Sequence, residues 1–187
     1  MKFRSLLVAG FGVMALASAA VAAEQSYEIG YVGADGIALP DYGKWVFLSS
    51  GLGMSYAEPQ AGNPAFTNVF AEPGAYDQFM RTGVWPDKTV LVLEARASVT
   101  DLSINKHGWA QTGPVLAVEI EVKDAAKNGW TFYNVPAGET AGKAFPRSFD
   151  CYACHAEHAA VDNTFVQFYP SLIDVAKSHG TFKEETK

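Results

Sequence analysis

The sequence predicts a mainly β, α+β domain: an antiparallel β-sheet with a few short peripheral helices. Two runs carry that reading. Residues 89–97 are rich in Val and Leu and place Leu91, Leu93, Ala95 and Ala97 on one face, taken as the inward one. In residues 115–123, Leu116, Val118, Ile120 and Val122 alternate with Glu119 and Glu121, the period of a strand with two unlike faces. A third observation is that the remaining patterns suggest only a few short helices, at 41–50, 74–82, 151–155 and around 172–176, which fits a sheet with peripheral helices.

Taken in order, residues 24–39 alternate weakly and carry Gly30, Gly33 and Gly36, which predicts an extended or irregular segment packed on the domain surface. Pro40-Asp41 followed by Tyr42, Trp45, Val46 and Leu48 gives a cap and helical spacing, predicting a helix over 41–50 that stops near Gly51. Residues 51–64 read as loop. A strand is expected at Phe66-Thr67-Asn68-Val69-Phe70, and Pro73 then suits the first turn of a helix over 74–82 with Gly83 as its stop. Trp85-Pro86-Asp87-Lys88 is turn chemistry ahead of the 89–97 strand. Asn128-Gly129 predicts a hairpin turn into Trp130-Thr131-Phe132-Tyr133-Asn134-Val135. Residues 136–146 read as loop, 151–155 as a short helix, and Leu172, Ile173, Val175 and Ala176 as a last helix closing near Gly180.

Residues 1–23 read as a removable targeting segment, with Lys2 and Arg4 at the start, an apolar run, and Ala20-Val21-Ala22 as a small-residue cleavage site. That predicts export to the periplasm and a single domain over 24–187, large enough to bury a core around a cofactor. No second apolar stretch is long enough to span a bilayer. The 187-residue chain carries a formal charge of −6, and loss of Lys2 and Arg4 takes it to −8. Such a surface argues against nucleic acid or an anionic membrane as a partner.

The most specific stretch is Cys151-Tyr152-Ala153-Cys154-His155. Two thiols three positions apart, followed at once by an imidazole, form the attachment signature of a c-type haem. Each thiol can add to one vinyl group, and the adjacent imidazole can reach the iron. Cys151 and Cys154 are therefore the expected covalent haem anchors, His155 the proximal iron ligand, and haem c the cofactor, one per chain. Three other readings use the same residues. A Cys151–Cys154 disulfide would close a short, strained loop and leave His155 unexplained. A zinc site of Cys151, Cys154, His155 and His158 lacks the usual separation between cysteine and histidine pairs, and a thioredoxin-like redox pair wants a βαβ context that the flanking strands and turns do not offer.

Several spaced motifs resemble the cytochrome P460 family, which includes the cytochromes c′-beta. They are Asp41-Tyr42-Gly43-Lys44-Trp45-Val46, Asn68-Val69-Phe70 with Pro73 and Ala75-Tyr76, Thr82-Gly83-Val84-Trp85-Pro86-Asp87, Trp130-Thr131-Phe132-Tyr133, and the haem motif with Phe168-Tyr169-Pro170. The resemblance implies an antiparallel β-sheet protein, commonly a homodimer, with a five-coordinate haem. In the family's hydroxylamine-oxidising enzymes a strand lysine is cross-linked to the haem; the matching position here is Leu93, and a distal arginine of some members matches Thr67. The chain thus looks more like the c′-beta branch, whose apolar distal side binds nitric oxide or carbon monoxide. Leu93, Phe66 and Phe70 are the distal-pocket candidates. Glu119 matches an acidic position of the family, with a solvated strand residue as its plainer reading.

Three functions follow for comparison. The leading one is a gas-binding haem protein that buffers or detoxifies nitric oxide. The second is a hydroxylamine or nitric oxide oxidoreductase, which needs a displaced cross-link or another basic distal residue. The third is an electron-transfer cytochrome with a small redox protein as partner, which needs a strong sixth ligand. Met54 and Met80 sit in no context that marks either as that ligand.

Overall fold

A computed structural model describes residues 27–56 and 62–184. The expected targeting segment lies outside them. The described residues form one eight-stranded antiparallel sheet in the order β1-β2-β8-β7-β6-β5-β4-β3, with β1 Tyr31–Val32, β2 Gly36–Ala38, β3 Val46–Leu52, β4 Ala65–Ala71, β5 Val90–Ala97, β6 Val115–Asp124, β7 Gly129–Pro136 and β8 Ala141–Ala144. Three helices accompany it: α1 Pro73–Thr82, α2 Asp150–His158 and α3 Pro170–Ser178. The mainly β, antiparallel reading of the sequence is thus the observed fold.

Both faces of the sheet are covered. On one face Val69, Ala71, Leu91, Trp130 and Phe132 pack with Phe79 of α1, Leu172 and Ala176 of α3, and Trp85. On the other, Val90, Val92, Val118, Ile120, Val122, Tyr133 and Val135 pack with Ile37 and are overlaid by Tyr27, Ile29, Tyr31, Tyr42 and Trp45. The expected inward face of β5 is therefore one of two. Leu91 and Leu93 pack on the helical side while Val90 and Val92 are as deeply buried on the other, as an uninterrupted Val/Leu run suits.

The expected helix over 41–50 is not formed. A single 3-10 turn, Tyr42–Lys44, leads directly into edge strand β3. Val46 and Leu48 alternate into the helical-side core, and the backbone bonds to β4 from Val46↔Ala71 to Leu52↔Phe66 outweigh a helical spacing of only four apolar residues. Strand β8 occupies part of the expected 136–146 loop. Its Ala-Gly-Lys-Ala composition carries no strand signal. Gly142 is required there, since a Cβ would sit 2.1 Å from the Asn134 carbonyl oxygen. The hairpin after β6 is longer than a two-residue turn: a 3-10 turn, Ala125–Lys127, precedes Asn128 at φ 65° and Gly129 at φ 86°.

Helix α1 follows its expected bounds. The Glu72 side chain accepts from the Gly74 and Ala75 amides, Pro73 opens the first turn, and Gly83 closes it at φ 69°. Among the described residues no helix is long and apolar enough to cross a membrane.

Candidate functional site

Helix α2 carries the two thiols and the imidazole. Spacings of three and four put Cys151, Cys154 and His155 on one side of it. Tyr152, between the cysteines, fastens the helix to the sheet: its hydroxyl donates to the Phe145 carbonyl at 3.2 Å and accepts from the Phe132 amide at 3.3 Å. Arg147 lies over the Tyr152 ring and donates to the carbonyls of Trp130 at 2.6 Å and Lys127 at 2.8 Å. At the far end Gln167 clamps the chain, accepting from the Ala160 amide at 3.0 Å and donating to the His158 carbonyl at 2.8 Å.

The helix and the aromatic segment after it stand against the sheet and enclose a cleft. The sheet supplies Ser49 and Gly51 of β3, Thr67 and Val69 of β4, Leu93 of β5, and Glu119 and Glu121 of β6; His155, Phe165, Phe168 and Tyr169 line the opposite side, with Met54 and Tyr56 at the rim. A larger groove runs along β2, β8 and β7, but none of the haem-motif residues lines it. The cleft is assigned by its chemistry, not its size.

His155 is held in one orientation. Its Nδ1 lies 2.8 Å from the Asn163 carbonyl oxygen, so the carbonyl accepts the Nδ1 proton and the Nε2 lone pair is left for the cleft. Phe132 and Phe165 flank the ring, with centroids at 4.3 and 4.6 Å. Burial lowers the imidazole pKa, against the opposing pull of the Asn163 bond and of Glu119. A neutral imidazole with a free, aimed Nε2 is the form a metal requires.

Both thiols are free and half-buried. Burial, aided by the charges of Glu119 and Glu121, raises the pKa of Cys151, which places that sulfur within the field of the cleft. Among the described residues no group of three or more His, Cys, Asp or Glu comes together as a metal site. The zinc grouping with His158 is therefore not assembled: His158 is exposed and lies by Glu157. An apolar cleft with one aimed imidazole and two thiols on the adjoining helix fits a covalently held haem. Cys151 and Cys154 would hold its edge, and His155 its iron.

The distal candidates divide. Leu93 lines the cleft. Phe66 and Phe70 do not, because β4 pairs with β5 without interruption and Val69 sits opposite Leu93. Thr67, Val69 and Ala71 therefore share the cleft face while Phe66, Asn68 and Phe70 point away. Phe70 packs under Tyr42 and Phe47 on the other side of the sheet. The two phenylalanines are corrected to residues outside the cleft, and the aromatic part of its lining is Phe165, Phe168, Tyr169 and Tyr56. Lys88 is also remote, paired with the carboxylate of Asp124.

The two glutamates are what the sequence reading undervalued. Leu93 pairs with Glu119 and Leu91 with Glu121 across the ladder, so both carboxyls share the cleft face with the leucines. Glu121 Oε1 lies 3.9 Å from His155 Nε2, and its Oε2 is buried with no hydrogen-bond partner. Burial, reinforced by the Glu119 charge, pushes its pKa up to about 8. Glu119, nearer solvent, is raised by burial and drawn back by His155. The signal for Glu121 was present in β5, whose doubly apolar run says that both faces of the neighbouring strand are covered; Glu119 is solvent-exposed at the edge of the cleft, as its plainer reading had it.

The sequence model of the cytochrome P460 family matches residues 39–166, a span that begins before β3 and ends after the haem motif. The chain belongs to the cytochrome P460 family. Membership implies a c-type haem, in agreement with the aimed imidazole and adjoining thiols of α2. No curated protein matches the sequence. Three of the segments that carry the resemblance meet at the cleft: Val69 of Asn68-Val69-Phe70 lies in its wall, Phe132 packs against the His155 ring, and Phe168 and Tyr169 close the aromatic side.

Proposed function

We propose that this cytochrome P460 family member is an exported, periplasmic haem protein of the c′-beta type that binds small neutral gases, nitric oxide or carbon monoxide, and buffers or detoxifies nitric oxide. One haem c per chain would be attached through Cys151 and Cys154 and ligated by His155, with a homodimer as the working assembly. When bound, the haem supplies an iron with one axial position open to a diatomic ligand.

The observation that carries this reading is the wall opposite His155. By the family resemblance Leu93 matches the position of the cross-linking lysine, and Leu93, Val69 and Thr67 form a surface with no cationic side chain. Leucine cannot form that bond. Glu121, held protonated by burial below about pH 8, is neutral at pH 7, so the inner wall favours an uncharged ligand over an anion. Phe165, Phe168 and Tyr169 restrict water on the other side.

A second reading has its own observation. Glu119 is a carboxyl at the cleft, and a group able to accept protons is what a hydroxylamine or nitric oxide oxidoreductase would require. The optical spectrum of the ferrous protein, matured in a host that attaches c-type haem, separates the readings. A broad five-coordinate spectrum that shifts on nitric oxide and is indifferent to hydroxylamine supports gas binding. A strongly red-shifted Soret band, or turnover of hydroxylamine with an added electron acceptor, supports the enzyme. Sharp six-coordinate bands unmoved by gas overturn both in favour of electron transfer.

A further inference from the structure

The Asn163 carbonyl reaches His155 from a tight turn. Asp162 and Asn163 are consecutive residues with φ of 46° and 60°, the positive-φ pair that a type I′ hairpin turn requires and that Asp and Asn tolerate better than other non-glycine residues. Three sets of contacts fix where the turn sits. Val161 and Thr164 close the turn by mutual backbone bonds of 3.3 and 2.8 Å. The fully buried Thr164 hydroxyl donates to the Val161 carbonyl at 2.6 Å and accepts from the Trp85 indole N–H at 2.8 Å. Lys123 Nζ donates both to Asp162 Oδ2 and to the Trp85 carbonyl, each at 2.6 Å.

Trp85 is the centre of this arrangement. It belongs to the turn before β5, is 1% exposed, and its ring packs against Phe79 at 4.4 Å. Its N–H and its C=O both serve the 161–164 turn, one directly and one through Lys123. Neither Trp85, Thr164 nor Lys123 lines the cleft. Their common product is the position of one carbonyl oxygen, and that oxygen receives the Nδ1 proton of His155.

We infer that the 161–164 turn is a brace for the proximal histidine, and that Trp85, Thr164 and Lys123 are its positioning residues. The inference rests on the reading of His155 as the iron ligand. A carbonyl acceptor keeps the imidazole neutral and its Nε2 directed, and a fixed acceptor resists rotation of the ring away from the metal. The brace would matter most if nitric oxide, once bound to a haem held here, weakened the hold of His155 on the iron. A released imidazole would have to turn away from the Asn163 carbonyl and from between the Phe132 and Phe165 rings.

The test is resonance Raman spectroscopy of the ferrous, haem-loaded protein, with the optical spectrum of its nitric oxide adduct. Thr164→Val keeps the shape and removes the hydroxyl; Trp85→Phe keeps an aromatic ring and removes the N–H; Lys123→Met frees Asp162 from a partly exposed position and serves where the core variants do not fold. Each is expected to shift and broaden the iron–histidine stretching band. Each should also raise the ratio of histidine-released to histidine-bound adduct, by up to about tenfold, the lower end of what outright loss of an outer-shell partner costs in metal affinity. Thr164→Ser retains the hydroxyl and should keep the original band. Ile120→Val, a core change on the opposite face, should leave band and ratio unmoved. A band present in the parent protein but unmoved by all three variants, or moved equally by Ile120→Val, overturns the brace alone. A parent protein with no iron–histidine band overturns the His155 assignment, and the brace with it.

Discussion

Glu94 should be the most sensitive charged residue of the sheet, and its replacement by glutamine tests the polar clamp behind the cleft wall. Its carboxyl lies on the face opposite Leu93, 4% exposed, and takes four hydrogen bonds. Oε1 accepts from Arg96 Nε at 2.7 Å and Asn68 Nδ2 at 3.1 Å, and Oε2 from Arg96 Nη2 at 2.7 Å and the Tyr42 hydroxyl at 2.8 Å. Asn68 also donates to Gln111, which reaches Ser50 of β3, so one carboxyl ties together β3, β4 and β5. The Arg96 bonds, then those of Tyr42 and Asn68, outweigh desolvation and hold the pKa at about 2 against an ordinary 4.5. By linkage that difference is worth at most roughly 3 kcal/mol. Arg96 is 29% exposed along its side chain, and solvent screening takes the expected contribution to about 2 kcal/mol. Glu94→Gln costs more than the charge, because all four partners donate. The new amide N–H₂ faces Arg96 Nε and Asn68 Nδ2 in one orientation and Arg96 Nη2 beside the Tyr42 hydroxyl, which can turn to accept, in the other, so at least one guanidinium N–H loses its acceptor, which adds about 1 kcal/mol.

Urea unfolding followed by far-ultraviolet circular dichroism should therefore place the variant about 3 kcal/mol below the parent at pH 7. The folded pKa is depressed, so this stability is present above pH 4.5 and lost as pH falls towards 2. The gap between parent and variant must narrow across that interval. A difference under about 0.5 kcal/mol at pH 7, or one that stays constant from pH 5 to pH 2.5, would refute the clamp.

Three further outcomes are expected. Glu121 has the opposite sign: its folded pKa of about 8 lies above the unfolded value, so the stability it contributes is fully present below about pH 4.5 and lost as pH rises through 8. Glu121→Gln should flatten the alkaline side of the stability profile by a few kcal/mol, and an unchanged profile between pH 6 and 9 would show the carboxyl to be solvated. Leu93→Lys puts an amine on the wall opposite Glu119; a red-shifted ferrous Soret band in part of the population is expected, and its complete absence would mean that Leu93 does not match the cross-linking position. Phe79→Ala deletes a fully buried ring tilted against Trp85 and should cost about 3–5 kcal/mol in urea unfolding, a loss below about 1 kcal/mol being incompatible with the packing described.

The parts of this molecule that were legible in the sequence are those whose signal is local. Strand β6 announces itself by alternation, β5 and β7 by runs of β-branched, leucine and aromatic residues, α1 by Pro73 and Gly83, and α2 by a motif whose three reactive residues need only one helical turn to share a side. What failed depended on the third dimension. Periodicity of two says that Val118, Ile120 and Val122 oppose Glu119 and Glu121, but it does not say which face α2 will cover, and α2 arrives only after β7 and β8. Parity between strands is equally invisible. Phe66 and Phe70 are reasonable wall residues until the β4–β5 register is known, and that register, pairing Val69 with Leu93, sends both to the other side. A shift of β4 by one residue would exchange Thr67, Val69 and Ala71 for Phe66, Asn68 and Phe70, replacing a small-residue wall by a bulky one and carrying Asn68 away from Glu94. The identity of this site therefore depends on register as much as on the haem motif, and the bonds that fix it, from Ser50 through Asn68 to Glu94 and Arg96, lie on the face that no ligand would touch.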